Sequence, residues 1–140
     1  MPRLSLTRRV VIAAAHRYRR PDWDDAKNEA VFGLCARESF HGHTYMCDVT
    51  VSAPLDSTTG FIIGLDVFDA ILDEHVVQRL DHRNLNVDVP EFAEGHAIPT
   101  GENLAAWIAW RVQAALPAPV AVTRVVVSEE PTLSATWERD

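Results

Sequence analysis

Apolar and polar residues alternate from Leu4 to His16, placing Leu4, Leu6, Val10, Ile12, Ala14 and His16 on one side of an extended chain. Successive side chains of a strand point to opposite faces. The pattern therefore predicts a first strand that ends on an inward-facing histidine. It stops over residues 17–40, RYRRPDWDDAKNEAVFGLCARESF, which reads as one long polar loop. Loops of that length inside a compact domain tend to carry function. Alternation returns over 41–53, where His41, His43, Tyr45, Cys47, Val49 and Val51 share the more apolar face. Pro54 ends that strand, and DSTTG at 56–60 is turn chemistry.

From Asp66 the period lengthens to three and four. Val67, Phe68, Ile71, Leu72, Val76 and Leu80 predict an amphipathic helix with Asp66 as its N-cap. DHRNLNVDVPEFAEGHAIP has no regular period and reads as loop. Thr100 caps a second helix with Leu104, Trp107, Ile108, Val112 and Ala115 on one stripe, and Glu102 suits its N-terminal dipole. Pro117 and Pro119 stop it, and strands over 121–129 and 132–137 follow. With no repeat and no linker, residues 1–140 form a single α+β domain in the order ββααββ, an antiparallel sheet backed by helices.

The 140 residues can bury a genuine core, and 47% hydrophobic with 24% charged residues is globular composition. No apolar run approaches the roughly 20 residues of a spanning helix, so no membrane partner is expected. MPRLSLTRRV has no cleavable hydrophobic stretch and is not read as a secretory signal. A net charge of −7 argues against a nucleic-acid partner, while leaving room for a small anionic substrate held by local arginines. Two cysteines, Cys35 and Cys47, are too few for a disulfide scaffold and fit a reducing, cytoplasmic setting.

His41 and His43 leave a strand from the same side. If the first two strands pair antiparallel, His16 joins them at one point. Three neutral imidazoles with an open fourth position make a catalytic zinc arrangement. A His-x-His pair alone is more often an ordinary hydrogen-bonded pair; the third histidine is what strengthens the case. Cys35 is a candidate base or nucleophile, ionised more easily near a cation. Glu38, three residues before His41, is a second candidate base. Asp81 can polarise His82 for proton transfer, and Glu129 can accept two hydrogen bonds from a flat heterocycle. Cys47, His75 and His96 are assigned to strand packing, helix surface and loop.

The segments AAAHRY (13–18), VFGLCARESFHGHTY (31–45), LDHRNLNVDVPEF (80–92), PTGENLA (99–105) and VVVSEEP (125–131) together resemble the 6-pyruvoyltetrahydropterin and 6-carboxytetrahydropterin synthase family over nearly the whole chain. The resemblance implies the tunnelling fold (T-fold): a four-stranded antiparallel sheet with two helices on one face. It implies assembly into a homo-hexamer, a dimer of trimers, with active sites between subunits. Zn2+ would be held by His16, His41 and His43. The catalytic thiol falls on Cys35, the proton relay on Asp81 and His82, and the pterin anchor on Glu129 with help from Thr100. The implied substrate is 7,8-dihydroneopterin triphosphate, with Arg17, Arg19, Arg20 and Lys27 available to its phosphates.

The chain departs from the family pattern in carrying E-x-x-H-G-H beside C-x5-H-G-H. Relatives with the glutamate alone cleave the same substrate to 6-hydroxymethyl-7,8-dihydropterin for folate synthesis. Possible products are therefore 6-carboxytetrahydropterin of the queuosine route, 6-pyruvoyltetrahydropterin of the biopterin route, or the folate intermediate. A non-catalytic pterin-binding protein is the rival from another class. Retention of Cys35 favours the first two products.

Overall fold

A computed structural model describes residues 3–140. Two long strands, β1 (Ser5–His16) and β2 (His41–Ser52), pair antiparallel along their whole length, with His16 opposite His41 and Ala14 opposite His43. β4 (Ala121–Glu130) pairs with β2, and β5 (Leu133–Glu138) with β4, both antiparallel. The expected four-stranded antiparallel sheet is thus present, but it is not the whole sheet. A two-residue strand, β3 (Arg83–Asn84), runs parallel to β1, giving five strands in the mixed order β3-β1-β2-β4-β5. The physical cause is local: Ala13 N–H donates to Asp81 Oδ1 at 2.8 Å, and His82 N–H donates to the Ala13 carbonyl at 2.6 Å. These two bonds fasten residues 81–84 to the outer edge of β1.

The ββααββ order also needs correction between β1 and β2. Within the supposed loop lies a helix, α1 (Asp25–Phe32), capped by Asp24 accepting from Lys27 N–H, followed by a 3-10 turn (Gly33–Ala36) that carries Cys35. Gly33, at φ 59°, ends α1 in a conformation that suits glycine. The first predicted helix begins two residues earlier than expected. In α2 (Leu65–Leu72) Gly64 is the N-cap, and Asp66 lies in the first turn. The helix continues through a π turn (Asp73–Val77) into α3 (Gln78–Leu80). A short α4 (Leu85–Asp88) follows, and α5 (Gly101–Ala115) is capped by Thr100 as predicted, its hydroxyl accepting from Asn103 N–H at 3.2 Å.

One face of the sheet contributes Ile12, Tyr45, Cys47, Val49, Val51, Val122, Val125 and Val127 to the core, against Phe68, Leu72, Leu104, Ile108 and Val112 from the helices. Burying this apolar area is the main force that fixes the strand register, because a one-residue slip would turn every inward side chain outward. The other face carries polar pairs, Arg9 with Asp48 and the Thr7 and Thr50 hydroxyls in contact, beside exposed Val11 and Met46. Among the described residues, no helix is long and apolar enough to cross a membrane.

Candidate active site

The inward face that makes the core also delivers the histidines. Because β1 and β2 are paired with His16 opposite His41, the end of one strand meets the start of the other. The ring centroids of His16, His41 and His43 lie 4.6, 5.1 and 5.0 Å apart. Glu129 completes the group, with one donor atom from each of the four within 4.8 Å of the others. Glu129 sits where the β4–β5 register shifts between Ser128 and Glu130, and such bulges re-aim a side chain. Its carboxylate, 11% exposed, places Oε1 3.2 Å from His16 Nε2 and 3.0 Å from His43 Nε2.

The protonation of the cluster follows from its partners. His16 is fully buried, and its Nδ1 lies 2.8 Å from the Pro99 carbonyl. A carbonyl can only accept, so Nδ1 carries the proton and Nε2 keeps a lone pair. Burial drives the His16 pKa down to about 4; the Pro99 bond opposes this, and His41 and His43 reinforce it. His41 is lowered as well, by burial first and by His43, against the pull of Glu129. The His16–Glu129 contact is therefore no ion pair at neutral pH. His43 Nε2 is buried without a hydrogen-bond partner, its approach to Glu129 lacking hydrogen-bond geometry. A buried nitrogen left without a partner on His43, and a His16 ring held by a carbonyl behind its other nitrogen, fit a divalent cation.

Cys35 reaches the same place from the 3-10 turn. It lines a pocket of about 530 Å³ with Tyr18, Phe40, His41, His43 and Glu129. In the chain itself, burial and then the Glu129 carboxylate push the thiol pKa up. Glu38 is not brought to this pocket. It is exposed and lines a separate cavity of about 520 Å³ with Arg17, Arg19 and Arg37.

Asp81 and His82 are paired, with His82 Nδ1 3.0 Å from Asp81 Oδ2. The Ala13 N–H bond, and His82 in lesser degree, lower the Asp81 pKa against its burial. His82 is 83% exposed and its backbone adopts φ 59°, an uncommon conformation for a residue with a Cβ. It lines a shallow cavity with Gly42, His43 and Arg83 rather than the Cys35 pocket. Thr100 spends its hydroxyl on the α5 cap, and its neighbour Pro99 makes the contact to His16. The cations named for phosphate are partly engaged. Arg19 pairs with Asp25, Arg20 with Asp22, Lys27 lies over the Trp23 ring, and Arg17 donates to the Ala36 carbonyl. Cys47, fully buried, is strand packing as read.

Two residues of the site escape sequence reasoning. Tyr18 donates its hydroxyl to Glu129 Oε1 at 3.3 Å, and Tyr45 places its hydroxyl 3.0 Å from His16 Nδ1. Burial, then Glu129, raises both phenol pKa values, so both phenols keep their protons at neutral pH. Tyr45 was visible only as one more apolar position of β2, and Tyr18 as part of the loop.

A family model described as 6-pyruvoyl tetrahydropterin synthase matches residues 5–140, and the chain belongs to that family of lyase-type enzymes acting on pterins. The 6-pyruvoyl tetrahydrobiopterin synthase of Drosophila melanogaster is 36% identical over 126 residues, 90% of this chain and 74% of the relative. That of Homo sapiens is 37% identical over 112 residues, 80% and 76% of the two chains. The structure of Caenorhabditis elegans 6-pyruvoyl tetrahydropterin synthase superposes with a TM-score of 0.92 at 28% identity, covering 100% of this chain and 98% of that one.

Proposed function

We propose that the protein is a zinc-dependent lyase that takes 7,8-dihydroneopterin triphosphate and releases triphosphate. Its product is 6-pyruvoyltetrahydropterin or 6-carboxy-5,6,7,8-tetrahydropterin. The observation that carries this reading is the placement of Cys35 on one pocket wall with His41, His43 and Glu129, while Glu38 lines a different cavity. Bound at His16, His41 and His43, zinc supplies Lewis acidity to the substrate's side-chain hydroxyls and positive charge that favours the Cys35 thiolate.

The remaining work falls to side chains of this protein. Glu129 accepts from the N–H donors on the pterin edge and fixes the ring, so that the reacting carbons rather than the heterocycle meet Cys35. Cys35 Sγ takes a proton, and His82, oriented by Asp81, returns one at another carbon while triphosphate departs. His82 is exposed and lies away from its own chain's Cys35 pocket. We therefore read the Asp81–His82 pair as completing the pocket of a neighbouring copy, in a homo-hexamer with active sites between subunits. Both cysteines are free, which supports a reducing, cytoplasmic setting.

Product analysis by mass spectrometry tests the reading. Cys35→Ala should lose at least about 100-fold in triphosphate release, the scale of a proton-transfer group, and Glu38→Ala should keep its rate within about threefold. Full activity in Cys35→Ala with loss in Glu38→Ala would instead establish cleavage to 6-hydroxymethyl-7,8-dihydropterin. A zinc-loaded wild type that releases no triphosphate would be a pterin-binding protein.

A further inference from the structure

The proposed function leaves Tyr18 without a role, yet this residue joins all three parts of the site. It lies two positions past His16. Its backbone N–H donates to the Cys35 carbonyl at 2.7 Å, and its hydroxyl to Glu129 Oε1 at 3.3 Å. Its ring meets His16 edge-on at 4.9 Å and Phe32 at 5.9 Å, which fixes where the hydroxyl points. Glu129 needs such a hold. Oε1 is 3.2 and 3.0 Å from two imidazole nitrogens, so a cation among the histidines attracts the carboxylate strongly at this range. A carboxylate drawn onto the metal would fill the open coordination position and turn away from the ring it is to recognise. Among the described residues, no hydrogen bond engages Glu129 Oε2, which leaves that oxygen to a ligand.

We propose that Tyr18 is a positioning residue for ring recognition: its hydroxyl holds Glu129 Oε1, keeping the carboxylate off the metal and presented to a heterocycle with adjacent N–H donors. The inference rests on the functional reading above. Tyr18→Phe keeps the ring and removes only the hydroxyl. In the zinc-loaded protein it should raise the Kd for neopterin, followed by fluorescence, and the KM for dihydroneopterin triphosphate by about tenfold, the cost of one hydrogen bond to a charged group. The kcat should stay within about threefold. Zinc should be retained several-fold more tightly against a chelator, because Glu129 is released to it. In a Glu129→Gln background Tyr18→Phe should change none of these further. An unchanged neopterin Kd in Tyr18→Phe, or the same rise in the Glu129→Gln background, would overturn the inference. Failure of the functional reading shows separately: the wild type neither binds neopterin nor releases triphosphate, while Tyr18→Phe still tightens zinc.

Discussion

The β1–β2 pair and the segment between them build adjacent walls of one site by different physics. The strands are held by a continuous backbone ladder and an apolar inner face, and His16, His41 and His43 ride on that frame. Residues 17–40 bury little apolar surface. Asn28 is their one fully buried polar side chain, its Oδ1 accepting from Arg20 N–H and its Nδ2 donating to the Arg20 and Asp24 carbonyls at 2.8 to 3.0 Å. Trp23 stacks on Phe32, and Arg17 and Tyr18 clamp Ala36 and Cys35 through backbone groups. The three histidines therefore share the stability of the whole domain, whereas the thiol depends on a few local bonds. Damage to the first should be global and damage to the second local.

The sharpest break in the comparison is expected from the frame. Leu104→Ala, fully buried beneath the sheet, should cost about 2–5 kcal/mol of global stability, read as a lower Tm, with kcat per folded zinc-bound chain unchanged. His41→Ala lies at the half-exposed start of β2, so it should leave the fold intact while zinc content and triphosphate release fall to background. Next comes pH. In the metal-free protein His16 stays neutral to about 4, whereas in the unfolded chain it takes up a proton near 6.5. Its contribution is whole above pH 6.5 and is lost as pH falls towards 4, up to about 3 kcal/mol. Urea titrations of apo-protein at pH 7.5, 6 and 4.5 should show this decline, and His16→Gln should flatten it. The smallest global effect is expected from the loop. Asn28→Ala removes several bonds around residues 20–24, about 2 kcal/mol of local order, so proteolytic nicking within 17–38 and a reduced kcat should appear with little change in Tm. A Tm drop as large as that of Leu104→Ala would erase the distinction between the two regions.

What was legible in the sequence follows the same division. Period-two alternation located both long strands and put the three histidines on one inward face, because a half-buried sheet cannot hide its pattern. The α5 stripe and its Thr100 cap were legible for the same reason. α1 was not, since its one buried residue is Asn28 and a helix anchored by polar bonds shows no apolar stripe. Its Asp24 cap and Gly33 stop were the signals present. β3 is two residues long and exists because Asp81 binds a backbone N–H sixty-eight positions away, a contact no local pattern encodes. The separation of Cys35 from Glu38, three residues apart, depends on a 3-10 turn and on the extended backbone of Arg37 that ends it, so spacing alone made them equals. Tyr18 and the Pro99 carbonyl act through tertiary hydrogen bonds and left no motif.

The most direct test is a crystal structure of the zinc-loaded protein with anomalous data at the zinc edge. An ion bonded to nitrogens of His16, His41 and His43 at about 2.0–2.1 Å is expected, with the Cys35 sulfur on the wall of the same pocket. Zinc located elsewhere, with the three rings turned away from a common centre, would contradict this expectation.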